Sequence, residues 1–202
     1  MTQEKVDYWP YLHQSGLSQK IYDKALVSGS RETLLDPEGR LVEWLLDMRL
    51  PLLDGKMSRE IGKLVANRLR MAGIRQVAGS GIGASAMVCA TINASGSPPL
   101  RGGLVRIQPK PYGRRRLIEG PLDPTIPVVI LDDLLNSGGT AKRVLKELRR
   151  EGFTVEGYLT IFEFAWGDGR TALEQEGLWV DALMELTLGQ ENAGSSDSAS
   201  HA

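Results

Sequence analysis

Residues 128–140 read Val-Val-Ile-Leu-Asp-Asp-Leu-Leu-Asn-Ser-Gly-Gly-Thr, an order that describes a sugar-phosphate site. The apolar run reads as a buried central strand. Asp132 and Asp133 fall at its carboxyl end, where open α/β sheets place ligands, and two adjacent carboxylates can accept hydrogen bonds from vicinal sugar hydroxyls. Asn136, Ser137, Gly138, Gly139 and Thr140 follow at the start of a helix, whose unpaired backbone N–H groups and dipole favour a phosphate. A strand with an Asp-rich cap is common in α/β proteins, but the whole run is rarer. 5-Phosphoribosyl 1-diphosphate (PRPP) carries both a diol and a terminal phosphate in this arrangement. Gly79, Ser80, Gly81, Ile82 and Gly83 form a second candidate, a glycine-rich strand-to-helix loop that lets backbone approach a ligand. By itself such a loop is equally often a tight connection.

Other chemistries are poorly supplied. The net charge of −1 offers no global surface for nucleic acid or membrane, although Arg114, Arg115 and Arg116 make a local basic cluster. Joined by Arg149 and Arg150 it could bind nucleic acid, but no aromatic residues interleave the arginines, and a solvated basic loop and helix end is the simpler reading. His13 and His201 lie at opposite ends and form no local ligand cluster with Cys89, so a metal is expected only with the ligand. Cys89 is the one cysteine; it sits in an apolar run and is expected to pack in the core. No run approaches ~20 apolar residues and the first residues show no signal-like pattern, so no membrane partner and a cytoplasmic location are expected.

The positioning elements follow from periodicity. The chain has 202 residues, 42% hydrophobic, enough for one sizeable core. Residues 1–40 read as an accessory cap with a helix around Ser18–Val27, and residues 189–202 as a disordered tail with little to bury. Within 41–188, Leu41–Leu50 reads as a strand closed by Pro51. A helix after Ser58 carries Ile61, Leu64, Val65 and Leu69 on one face, and Ile74–Ala78 is a short strand. An apolar helix runs through Met87 and Ile92, Leu104–Ile107 is a strand, and residues 108–127 are a long polar loop of the functional kind. Ala141, Val144, Leu145 and Leu148 mark the helix after the Asp pair, ended by Gly152. Val155–Phe162, Arg170–Glu176 and Leu178–Leu188 read as strand, short helix and strand. Strands alternating with helices predict an α/β fold, a central and mainly parallel sheet flanked by helices.

The run 128–140 resembles the PRPP-binding motif of type I phosphoribosyltransferases, with Asn136 where that family often has Thr. Residues 104–120 resemble the strand and catalytic loop of orotate phosphoribosyltransferases, with Arg106, Lys110, Tyr112, Gly113, Glu119 and Gly120 matching. Leu46-Asp-Met-Arg49 and Gly169-Arg-Thr-Ala-Leu-Glu174 resemble two further family segments, so the likeness covers about residues 40–188. It implies a type I phosphoribosyltransferase-like fold and Mg²⁺-dependent transfer from PRPP to a nitrogenous base. It also implies a homodimer in which the loop reaches the neighbouring subunit's site. Asp132 and Asp133 would hold the ribose, the Asn136–Thr140 turn the 5′-phosphate, and Gly79–Gly83 the diphosphate. Arg106 and Lys110 would be catalytic, Tyr112 and Arg114 part of the lid, because cations on a closing loop neutralise departing pyrophosphate.

Three departures fall on charged groups. Ile107 replaces a loop lysine, Ile82 or its neighbour stands where the diphosphate loop can carry Tyr-Lys-Gly, and Phe164 or Ala165 replaces the arginine that holds the orotate carboxylate. An unpaired carboxylate in a partly closed site costs roughly 3–5 kcal/mol, which argues against orotate. Phe164 and Trp166 could instead stack on a different acceptor ring, or simply pack. The alternative is a catalytically reduced PRPP- or nucleotide-binding regulator or subunit.

Overall fold

Apolar faces turned to a central sheet organise the elements of the computed structural model, which describes residues 16–29, 33–35, 39–106 and 117–187. The order is α1 (Leu17–Ala25), β1 (Leu26–Ser28), β2 (Leu34–Leu35), β3 (Leu41–Val42), β4 (Trp44–Leu46), α2 (Arg49–Leu52), α3 (Gly55–Met71), β5 (Gln76–Gly79) and α4 (Ile82–Ala94). It continues with β6 (Arg101–Val105), β7 (Ile118–Glu119), β8 (Val128–Leu135), α5 (Gly139–Arg150), β9 (Val155–Phe164), α6 (Gly169–Glu174) and β10 (Trp179–Leu186). A six-stranded sheet runs β10-β9-β8-β5-β6-β7, parallel except for the edge strand β7. β1 with β4, and β2 with β3, form two small antiparallel pairs.

β8 is buried along Val128–Leu131, as a strand covered on both faces must be. Alternation sends Val129 and Leu131 into one apolar cluster with Ile61, Val65 and Met87, and Val128 and Ile130 into another with Val144, Leu145 and Leu148. Ile21 and Ala25 of α1 belong to the first cluster. α3 and α4 cover the same face and pack closely: a Cβ on Gly62 would stand 2.7 Å from the Ala90 carbonyl carbon. The expected apolar face of α5 is its buried face. Among the described residues no helix is long and apolar enough to cross a membrane.

Several boundaries differ from the sequence reading. Leu41–Leu50 is not one strand: Glu43 divides it into β3 and β4, which pair with different partners, and its end turns into α2. Pro51 lies inside that helix's first turn, where a missing N–H loses no intrahelical bond. α3 begins before Ser58, because the Asp54 carboxylate accepts from the backbone N–H groups of Lys56 (3.1 Å) and Met57 (3.0 Å). β6 starts at Arg101 rather than Leu104, since Gly102 and Gly103 lie under Ile92, Val88 and Leu122 where side chains would collide. The 108–127 stretch is not all loop; it returns to the sheet as β7. Cys89 is exposed rather than in the core, because α4 turns Met87, Val88 and Thr91 inward and carries position 89 outward. The expected tail lies outside the described residues.

Candidate active site

Asp132 and Asp133 stand within the last half of β8, which continues two residues beyond them. The Asp133 backbone N–H donates to the Asp132 carboxylate at 3.0 Å. Burial, and after it the adjacent Asp133 charge, hold the Asp132 carboxyl well above the usual carboxylate range. Tyr158, on β9, is wholly buried near it, and its hydroxyl makes no hydrogen bond of ordinary geometry. Burial and then the Asp132 charge push that phenol well up.

The glycine-rich loop meets this pair directly. A Cβ on Gly83 would run into the Asp133 carboxylate, and one on Gly79 would stand 2.9 Å from the Leu131 carbonyl oxygen. Both glycines are therefore needed for α4 to start against the acids. Gly81 has φ +89°, and Ile82 is 66% exposed at the loop's tip.

Downstream, Gly138 takes φ +72° and Gly139 opens α5. The turn is braced from behind by the segment after β9: the Gly169 N–H donates to the Asn136 carbonyl at 2.8 Å, and a Cβ on Gly167 would stand 2.5 Å from the same oxygen. Asn136 and Ser137 are left exposed. That segment also carries the aromatic candidates. Phe164 ends β9 with its ring 5.0 Å from that of Trp166 and 6.5 Å from that of Trp44 on β4. Trp44 is 39% and Trp166 44% exposed.

A cleft of about 330 Å³ opens beside the acids, with Leu45, Leu46, Asp47, Met48 and Arg49 on one wall and Ile82, Gly83 and Asp133 on the other. Sequence reasoning noticed Leu46–Arg49 only as a likeness and did not place Asp47 and Arg49 beside the acids, because nothing local shows that this corner folds over them. A larger depression of about 540 Å³, lined by Ser28, Thr33, Leu34 and Glu43 among others, holds neither the acid pair nor either glycine-rich turn. Arg106 follows β6 and is exposed, its N–H donating to the Leu117 carbonyl at 2.7 Å. Lys110, Tyr112 and Arg114, with Ile107, lie outside the described residues.

No family model matches the chain. An orotate phosphoribosyltransferase of Rhodopirellula baltica is 30% identical over 156 residues, which cover 73% of this chain and 80% of that protein. The chain belongs to the orotate phosphoribosyltransferase family. A second member, from Levilactobacillus brevis, is 29% identical over 189 residues, 91% of this chain and 78% of that one. The crystal structure of Mycobacterium tuberculosis orotate phosphoribosyltransferase in complex with PRPP aligns with a TM-score of 0.69 and 25% identity, covering 84% of this chain and 94% of that chain. The fold is that of type I phosphoribosyltransferases, and the chain is phosphoribosyltransferase-like.

Proposed function

We propose that this family member transfers the 5-phosphoribosyl group of PRPP to a nitrogenous base without a carboxylate, releasing pyrophosphate. The observation that carries the choice of acceptor is the ring chain Trp44, Phe164 and Trp166 at the end of β9, which offers stacking faces and no charge. The nearby cation is committed elsewhere: Arg170 bonds both carboxylate oxygens of Glu163 and donates to the Val180 carbonyl at 2.7 Å. It has no fork left for a substrate carboxylate.

In this reading Asp132 and Asp133 accept from the ribose hydroxyls, the Asn136–Thr140 turn cradles the 5′-phosphate, and Gly79–Gly83 faces the diphosphate. A ring nitrogen of the base attacks C1 while the C1–O bond to the diphosphate breaks. Asp132 and Asp133, adjacent on β8, would face a divalent cation delivered with PRPP, and Mg²⁺ held there would supply positive charge for the leaving pyrophosphate. Arg106, Lys110, Tyr112 and Arg114 close the site as a lid that adds charge and excludes water. Two copies make the working unit.

Pyrophosphate release with PRPP, Mg²⁺ and either uracil, a purine base or orotate tests the reading. A neutral base is expected to support release and orotate not to. The Asp132→Asn, Asp133→Asn double variant is expected to lose roughly a hundredfold or more. Orotate as the best acceptor would overturn the choice of base, and an unaffected double variant would overturn the site. Exposed Ile82 on the diphosphate loop favours a second reading, a PRPP-binding regulator that does not turn over; saturable binding without release from any base would select it.

A further inference from the structure

We propose that Arg49 is the cation that holds the diphosphate of PRPP, reaching across the cleft toward the Gly79–Gly83 loop, with Asp47 as its positioning residue. The inference rests on the phosphoribosyltransferase reading of the site. The loop itself brings backbone N–H groups and no charged side chain, whereas a diphosphate is multiply charged and calls for charge-assisted donors. Among the described residues lining the cleft that Ile82, Gly83 and Asp133 share, Arg49 is the one cation.

Its side chain is aimed rather than loose. Asp47 accepts from Arg49 Nε at 2.7 Å and Nη2 at 2.7 Å, and also from the Arg49 backbone N–H at 3.0 Å. That fork uses one edge of the guanidinium and leaves Nη1 without a hydrogen bond among the described residues, on a side chain 56% exposed. The Asp133 charge, on the opposite wall, is felt at the guanidinium as well. A planar donor set with one edge fixed by Asp47, on a residue that lines the cleft, suits the two-oxygen grip of a phosphate.

Calorimetric titration of PRPP, Mg²⁺-pyrophosphate and ribose 5-phosphate separates this role from a structural one. Arg49→Gln is expected to weaken PRPP and pyrophosphate by about tenfold or more. Ribose 5-phosphate, which lacks the diphosphate, should stay within about twofold, and Arg49→Lys should recover part of the loss. Asp47→Asn should reproduce the Arg49→Gln pattern more weakly. Equal loss of all three ligands with a lowered Tm would show that the pair merely holds the β4–α2 corner, and the proposal would fall. It would also fall if pyrophosphate binding were unchanged, or if only the KM of the acceptor base rose. A wild type that binds no PRPP would sink the functional reading and this inference together; PRPP binding indifferent to Arg49→Gln would sink this inference alone.

Discussion

A methyl group at Gly83 would land on the Asp133 carboxylate, so the glycine-rich loop and the acid pair meet only because that residue has no side chain. Gly83→Ala is therefore expected to displace Asp133 and lower kcat/KM for PRPP by roughly a hundredfold, the usual penalty for misplacing a reacting group by about 1 Å. A thermal melt run beside the kinetics should show a nearly unchanged Tm; a large drop would place the cost in folding instead. The neighbouring Asp132 makes a different prediction. Its carboxyl is raised by burial and by Asp133, so the folded state binds that proton more tightly than the unfolded chain does. The resulting stability is complete below the ordinary carboxylate range and lost as pH rises through the raised value, so near neutral pH burying the Asp132 carboxyl costs stability. Asp132→Asn should accordingly raise Tm at about pH 7, with the gain shrinking toward about pH 4. A lower Tm at neutral pH would mean that the hydrogen bond to the Asp133 N–H outweighs the repulsion.

The helices differ in how openly the sequence announces them. α5 was readable because Ala141, Val144, Leu145 and Leu148 repeat at helical spacing and all four are buried against the sheet. Leu148→Ala, a cavity under β8 and β9, should cost about 2–5 kcal/mol in a denaturant melt. The α3–α4 contact was not readable, since a glycine inside a helix looks like a weakness until Ala90 is seen beside it. Gly62→Ala should destabilise by about 1–3 kcal/mol despite its better helix propensity, because the helices must part. An increase in stability would show that α4 yields freely. The same logic explains the site. Asp132, Asp133 and the turn after them are contiguous, so their order in the chain disclosed them. Asp47 and Arg49 reach the cleft through the pairing of β1 with β4 and the turn into α2, contacts between distant segments that leave no local period.

The arrangement of strands poses the last question, which copy's loop closes which site. Arg106 and Leu117 bracket residues 107–116 between β6 and β7, at the edge of the sheet, and two strand spacings, about 10 Å, separate β6 from the acids on β8. We propose that the loop serves the neighbouring subunit of a homodimer, as the family likeness implies, so that each site draws Asp132 and Asp133 from one copy and Lys110 from the other. Co-expression of the Asp132→Asn, Asp133→Asn variant with Lys110→Ala tests this, each being inactive alone. Random pairing makes about half of the dimers mixed. Each mixed dimer holds one site with intact acids facing an intact Lys110, so activity should return to roughly a quarter of the wild-type level. If the loop folds back over its own acids, every site in the mixed dimer carries a defect and activity stays near zero. Each copy would then be a complete catalyst, and association of the two would have no part in the chemistry.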